Sequence, residues 1–282
     1  PEFNNVTEYT ATIKGSTISH TIPYLYDFKL KPTFTVSKGS KVYVGEVEQK
    51  SGETEVDFTR PVTYTVKSGD VEHDYTVSIT NTGLPVGVIQ QTQSGYFKEV
   101  TTGGLWGIGA KTVNKFVDFM VRGKDTEWVE DDQMTIYNAD GTVDLATANC
   151  GVRLRGNTSQ AYPKKPLAVK FKDKQAVLGM PKHKRWVLLA NWLDHSMIRN
   201  SVAFDLAHLI EQAWKNNASI GEGIPWNVHG QNVELVIDGH HVGNYYLCEQ
   251  IKIGSKRLDI NDAYEDVKAD GLVEATLENC GY

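Results

Sequence analysis

Two patterns of apolar and polar positions divide the chain. Over roughly the first 82 residues, short runs such as "YTATI", "FTVS", "KVYVGEVEQ", "VTYTVK" and "DYTVSIT" alternate and are separated by Gly, Ser, Pro and Asp. Alternation with a period of two marks strands with one buried face. In "HDYTVSIT", Tyr75, Val77 and Ile79 fall on one face, and Thr76, Ser78 and Thr80 on the other. Several such runs with turn residues between them predict a small all-β sandwich over 1–82. Turn formers concentrate in "NTGLPVG", which predicts a linker at 83–87 and a second domain over 88–282.

The second region is mixed. "KFVDFMVRG" and "QMTIYNADGTVDLA" read as strands, with Asp140-Gly141 as a hairpin turn, and Asp238-Gly239 joins two alternating runs in "QNVELVIDGHHVGNYYLCEQI". In "SMIRNSVAFDLAHLIEQAW" the period lengthens, predicting a helix over about 196–214 with Ser196 as its cap. Ile198, Val202, Phe204, Leu206, Leu209 and Trp214 would form its core face. The expectation for this region is an α+β domain.

Composition narrows the classes. The chain has 282 residues, 40% of them hydrophobic, enough for two ordinary cores. A formal net charge of -6 argues against a general nucleic-acid binder. No run approaches the roughly 20 apolar residues of a transmembrane helix. The chain opens on "PEFNN" without Met, which leaves a removed export signal open. Cys150, Cys248 and Cys280 fit neither a disulfide scaffold nor a metal knuckle and read as buried thiols, with one disulfide as the alternative. The histidines lack ligand spacing; Trp192, Trp214 and Trp226 read as core rather than as sugar platforms.

Charge then singles out one stretch. From Arg153 to Arg199 eleven basic residues face only Asp173 and Asp194. A local basic patch in an acidic chain suits a phosphate-bearing ligand, because a cleft's field depends on nearby charges. In "KKPLAVKF", Lys165, Leu167, Val169 and Phe171 share one face, and Lys164, Pro166, Ala168 and Lys170 the other. Ala168 would then offer a small surface for a planar base or a phosphate chain. The preceding "RGNTS" turn offers Gly156 for close backbone approach and hydroxyls as donors. A solvated hairpin is the other reading of this spacing.

Three blocks carry a family resemblance: "GVRLRGNTSQAYPKKPLAVKF", "VLGMPKHKRWVLLANWLDHSMIRNSVAFDLA" and "VELVIDGHHVGNYYLCEQI". In order and spacing, over about 85–282, they resemble the CotH kinase family, the spore-coat protein H type of atypical protein kinase. The resemblance implies a divergent kinase-like fold that binds ATP with Mg²⁺ and phosphorylates Ser or Thr of a protein. It makes Lys165 and Lys170 the contenders for the phosphate lysine. Arg155, Gly156, Asn157 and Ser159 become the phosphate-facing turn, and Glu249 the acidic residue pairing with the lysine or touching nucleotide. "DHSMIRN" is one residue longer than a kinase catalytic loop, so Arg199 and Asn200 are site-organising candidates, with helix capping by "LDHS" the alternative. The metal-binding aspartates implied by the family would follow Tyr282. Likewise "LKPTFTVSKGSKV" and "VDFTRPVTYTVKSGDVEHDYTVSIT" resemble immunoglobulin-like modules of surface proteins in gut-type bacteria, implying an extracytoplasmic or cell-surface protein. The rival reading is a non-catalytic surface scaffold or adhesion protein with a degenerate kinase-like domain.

Overall fold

Most of the alternating runs pair as strands; "FTVS" does not, and most of "KFVDFMVRG" lies outside the described residues. In the computed structural model the described residues are 9–92, 127–216, 226–255 and 257–260, together with the backbone of 97–102 and 111–116. The N-terminal region builds β1 (Thr12–Lys14), β2 (Thr17–Thr21), β3 (Lys29–Leu30), β4 (Lys41–Val44), β5 (Val47–Glu48), β6 (Val56–Asp57), β7 (Val62–Ser68) and β8 (Val71–Thr80). Six of these form one sheet in the order β1-β2-β8-β7-β4-β5, and β3 pairs with β6. The apolar faces of both close on a core of Val42, Val56, Phe58, Tyr64 and Val77. This is the all-β module that the alternation predicts.

The second region adds β9 (Val86–Gln90), β10 (Phe97–Thr102), β11 (Lys111–Phe116), β12 (Asp132–Tyr137), β13 (Val143–Leu154), β14 (Leu167–Val177), β15 (Met180–Leu189), β16 (Gly230–Ile237) and β17 (His240–Glu249). β10 and β11 form a separate hairpin. The other seven close a barrel in the order β12-β13-β14-β15-β17-β16-β9, antiparallel except where β16 meets β9. Ile89, Ile136, Val152, Val169, Phe171, Trp186, Leu235 and Leu247 fill its interior. Closure leaves this sheet without an open edge.

The expected α+β domain is therefore corrected to a largely β architecture among the described residues, with a single α-helix, α1 (Arg199–Lys215). Its predicted core face is corrected too. Phe204 packs on the barrel with Tyr246 and Val187, whereas Ile198, Val202, Leu206, Leu209 and Trp214 are exposed. A helical period shows which residues share a face but not whether anything covers it. Nor does Ser196 cap the helix: Asp194 accepts the Arg199 N–H at 2.8 Å, as the capping alternative for "LDHS" holds.

The two regions share an apolar seam. Ile22, Tyr24, Leu25 and Tyr26 pack with Val86, Val88 and Val236, and the Tyr26 and Tyr137 rings stack 4.1 Å apart. The Asn81 amide donates to Leu25 O and Ala139 O. Gly141, in the β12–β13 turn with φ +85°, lies so close to the Tyr26 carbonyl that a Cβ would fall 2.0 Å from it.

Candidate functional site

Along β14 the side chains alternate as the sequence requires. Leu167, Val169 and Phe171 point into the barrel, leaving Ala168 and Lys170 on its outer wall. Register brings Arg153 of β13 opposite Ala168, and sets Lys170 between Gly151 and Arg185 of β15. Basic groups from three strands thus meet on one outer face.

Trp128 organises that face. The guanidinium of Arg153 lies 4.2 Å from its ring centroid and that of Arg185 5.5 Å, both within cation–π range. Gly151 makes this possible: a Cβ there would sit 2.5 Å from Val129 O and 3.2 Å from the Trp128 ring. The same segment brings Glu130 to Lys170, 2.6 Å from its ammonium. Trp128, Arg153, Leu154, Arg155, Gly156, Ala168, Arg185 and Gln250 line a pocket of about 190 Å³. Neither Arg155 nor Arg185 meets a carboxylate among the described residues.

The "RGNTS" turn closes one end. Arg155 N–H donates to Pro166 O at 3.1 Å, and Gly156 takes φ +87° with Ser159 against it, where a Cβ would stand 2.1 Å from the Ser159 hydroxyl. Only glycine holds that geometry without strain. Asn157 and Ser159 lie at the start of the short 3-10 helix Thr158–Ala161. Lys165 is buried and its ammonium donates to Gln160 O at 2.9 Å, bracing this turn. Lys164 turns inward to Asn244 O, with its ammonium 4.5 Å from the Tyr245 ring centroid, and burial pulls its pKa down to about 8.

Glu249 stands apart from both lysines. Its fully buried carboxylate pairs with Arg257, accepts from Trp226 Nε1 at 3.0 Å and from His229 N–H at 3.1 Å, and contacts His229 Nδ1 at 3.0 Å. The expected lysine pairing of Glu249 is therefore corrected: Arg257, brought back by the segment after β17, is its counter-ion, and Glu130 is that of Lys170. Arg199 and Asn200 organise the 191–200 loop, through Asp194 at 3.6 Å and Asn191 Oδ1 at 2.8 Å, and do not line the pocket. Cys150 and Cys248 are buried free thiols, and burial raises Cys248 to about 12; Cys280 lies outside the described residues.

Sequence reasoning missed Trp128, Glu130 and Gln250 as site residues. Arg153 and Arg185 stood in its basic patch without a role. For the arginines the signal was the alternation itself, which puts Arg153 in step with Ala168; for Trp128 and Glu130 no local periodicity exists.

Residues 152–270 match the family described as CotH kinase protein, and residues 2–79 match the family described as SGBP, N-terminal. No curated protein matches the chain. A solved structure from Bacteroides thetaiotaomicron, provisionally described as a glycoside hydrolase, is 17% identical with a TM-score of 0.23. That match covers 67% of this chain and 51% of the other, so the chain spans about half the length of that protein. Arg153, Lys170 and Arg185 of the basic outer wall, the "RGNTS" turn and the Glu249 strand all fall within the span that matches the CotH kinase family, behind the stretch that matches the SGBP N-terminal family.

Proposed function

We propose that the outer wall of β13, β14 and β15 binds a nucleoside triphosphate, ATP, and that the domain transfers its terminal phosphoryl group to a Ser or Thr hydroxyl of a surface protein. The pocket in which Arg155 and Arg185 meet no carboxylate among the described residues, beside the Lys170–Glu130 pair, carries this reading. Phosphoryl transfer asks a protein mainly to position groups and neutralise charge. Arg153, Arg155 and Arg185 supply fixed positive charge whose planar donors suit phosphate oxygens. Lys170, held by Glu130, is the phosphate lysine; Gly156, Asn157 and Ser159 form the approach turn, and Lys165 fixes that turn from below. In the transfer the hydroxyl oxygen bonds to the terminal phosphorus as its bond to the diphosphate breaks, and the hydroxyl proton is released.

The family implies Mg²⁺ as well. Among the described residues this pocket is lined by guanidinium, indole and amide groups and by no carboxylate, and the nearby Glu130 is engaged by Lys170. That set does not fit a cation that takes several oxygen ligands. The SGBP N-terminal module supports a cell-surface location.

Calorimetric titration with ATP tests the reading. Saturable binding is expected, and Lys170→Ala should weaken it by about 2 kcal/mol through loss of a charge-assisted bond. Unchanged affinity in Lys170→Ala and in Arg185→Met would remove this face from the site.

A further inference from the structure

Two polar atoms at the pocket lack partners among the described residues. Gln250 Oε1 and Trp128 Nε1 are buried without a hydrogen bond, and both residues line the opening together with the three arginines. A buried polar atom left unsatisfied costs about 1–3 kcal/mol, so an acceptor and a donor stranded at one pocket mark a place where a ligand completes the bonding. The cavity's 190 Å³ is smaller than the roughly 300–1,000 Å³ of sites that enclose whole ligands. It therefore takes one end of a ligand, and Ala168 supplies the small side chain at that place.

We infer that Gln250 is the base-reading residue of this site and selects adenine over guanine, an inference that rests on the nucleotide reading. A carboxamide presents a donor beside an acceptor. The adenine edge presents its N6 amino donor beside the N7 acceptor, so both bonds form. Guanine presents O6 and N7, two acceptors, so either orientation of the amide leaves acceptor facing acceptor. Trp128 Nε1 then serves an acceptor elsewhere on the same ligand. Gln250 is well placed to discriminate because the preceding residue, Glu249, is tied down by Arg257, Trp226 and His229. Anchoring of the neighbouring residue limits how far the backbone at Gln250 can shift on binding.

The test is calorimetry on the full chain with ATP, GTP and inorganic tripolyphosphate, using wild type, Gln250→Leu and the volume-conserving Gln250→Met. Wild type should bind ATP at least tenfold more tightly than GTP. Both variants should bring that ratio below threefold with tripolyphosphate affinity unchanged, which also reports that the site is intact. Equal binding of ATP and GTP by wild type, or a ratio preserved in both variants, overturns the role of Gln250 while leaving the polyphosphate site standing. Failure of all three ligands to bind wild type overturns the nucleotide reading and this inference with it.

Discussion

Two arginine–tryptophan centres sit on the barrel, and they differ in what answers the charge. Arg257 is 2% exposed, with Trp186 and Trp226 at 5.5 and 5.9 Å and the Glu249 carboxylate against it. Arg153 and Arg185 gather on Trp128 at the rim of an open pocket, beside an Arg155 that meets no carboxylate among the described residues. The same residue types serve opposite ends. A charge enclosed with its counter-ion holds structure together, because burying it alone costs several kcal/mol. A guanidinium that meets no carboxylate among the described residues, as with Arg155 and Arg185, leaves electrostatic attraction for something that arrives.

The strongest test of that contrast is to unbalance the closed centre. Glu249→Gln leaves Arg257 buried without a counter-charge and should cost about 3–5 kcal/mol of unfolding free energy in urea. Arg185→Met, in the open centre, should change stability by no more than about 0.5 kcal/mol and weaken ATP binding instead. Similar stability losses in the two variants would erase the distinction. Next in size, Gly151→Val forces a side chain into Val129 and Trp128. It should cost about 1–3 kcal/mol by overpacking. It should also shift the tryptophan fluorescence and abolish ATP binding; a variant that keeps both would show that Trp128 does not need this close approach.

Lys164 occupies the middle ground, half-buried with no carboxylate in direct contact among the described residues. Burial lowers its pKa from 10.5 to about 8, against the opposing field of Glu234. The unfolded chain keeps that proton to higher pH than the folded one, so stability rises as pH climbs from about 8 towards 10.5. The slope from this group is at most about 1.4 kcal/mol per pH unit. Lys164→Met should flatten that limb in unfolding free energies measured from pH 7 to 10. A variant with the wild-type slope would assign the limb to other groups.

Much of the local structure was legible in the residues. Asp238-Gly239 turns between β16 and β17 with φ +48° and +82°, the mirror-image turn that such a pair favours. The alternation through "KKPLAVKF" correctly put Lys170 and Ala168 on one wall. What stayed hidden was set by long-range pairing. Nothing local says that β16 will run parallel to β9, across more than 140 residues, and close the barrel. The site followed the same rule: its strand residues were readable from their period, whereas Trp128 and Glu130 arrive on an irregular segment without one. The lysine pairing expected of Glu249 failed for the same reason, because Arg257 returns to it from beyond the strand.

The seam between the two regions has a mechanical consequence. With the Tyr26 carbonyl against Gly141, Asn81 bonded to both sides, and Leu25 and Val236 in one apolar cluster, the N-terminal module is not a bead on a string. Tension applied ahead of Ile22 passes as shear into β9 and β16, the parallel pair that closes the barrel. The module acts as a lever welded to the frame, so a force that turns it turns the basic wall as well.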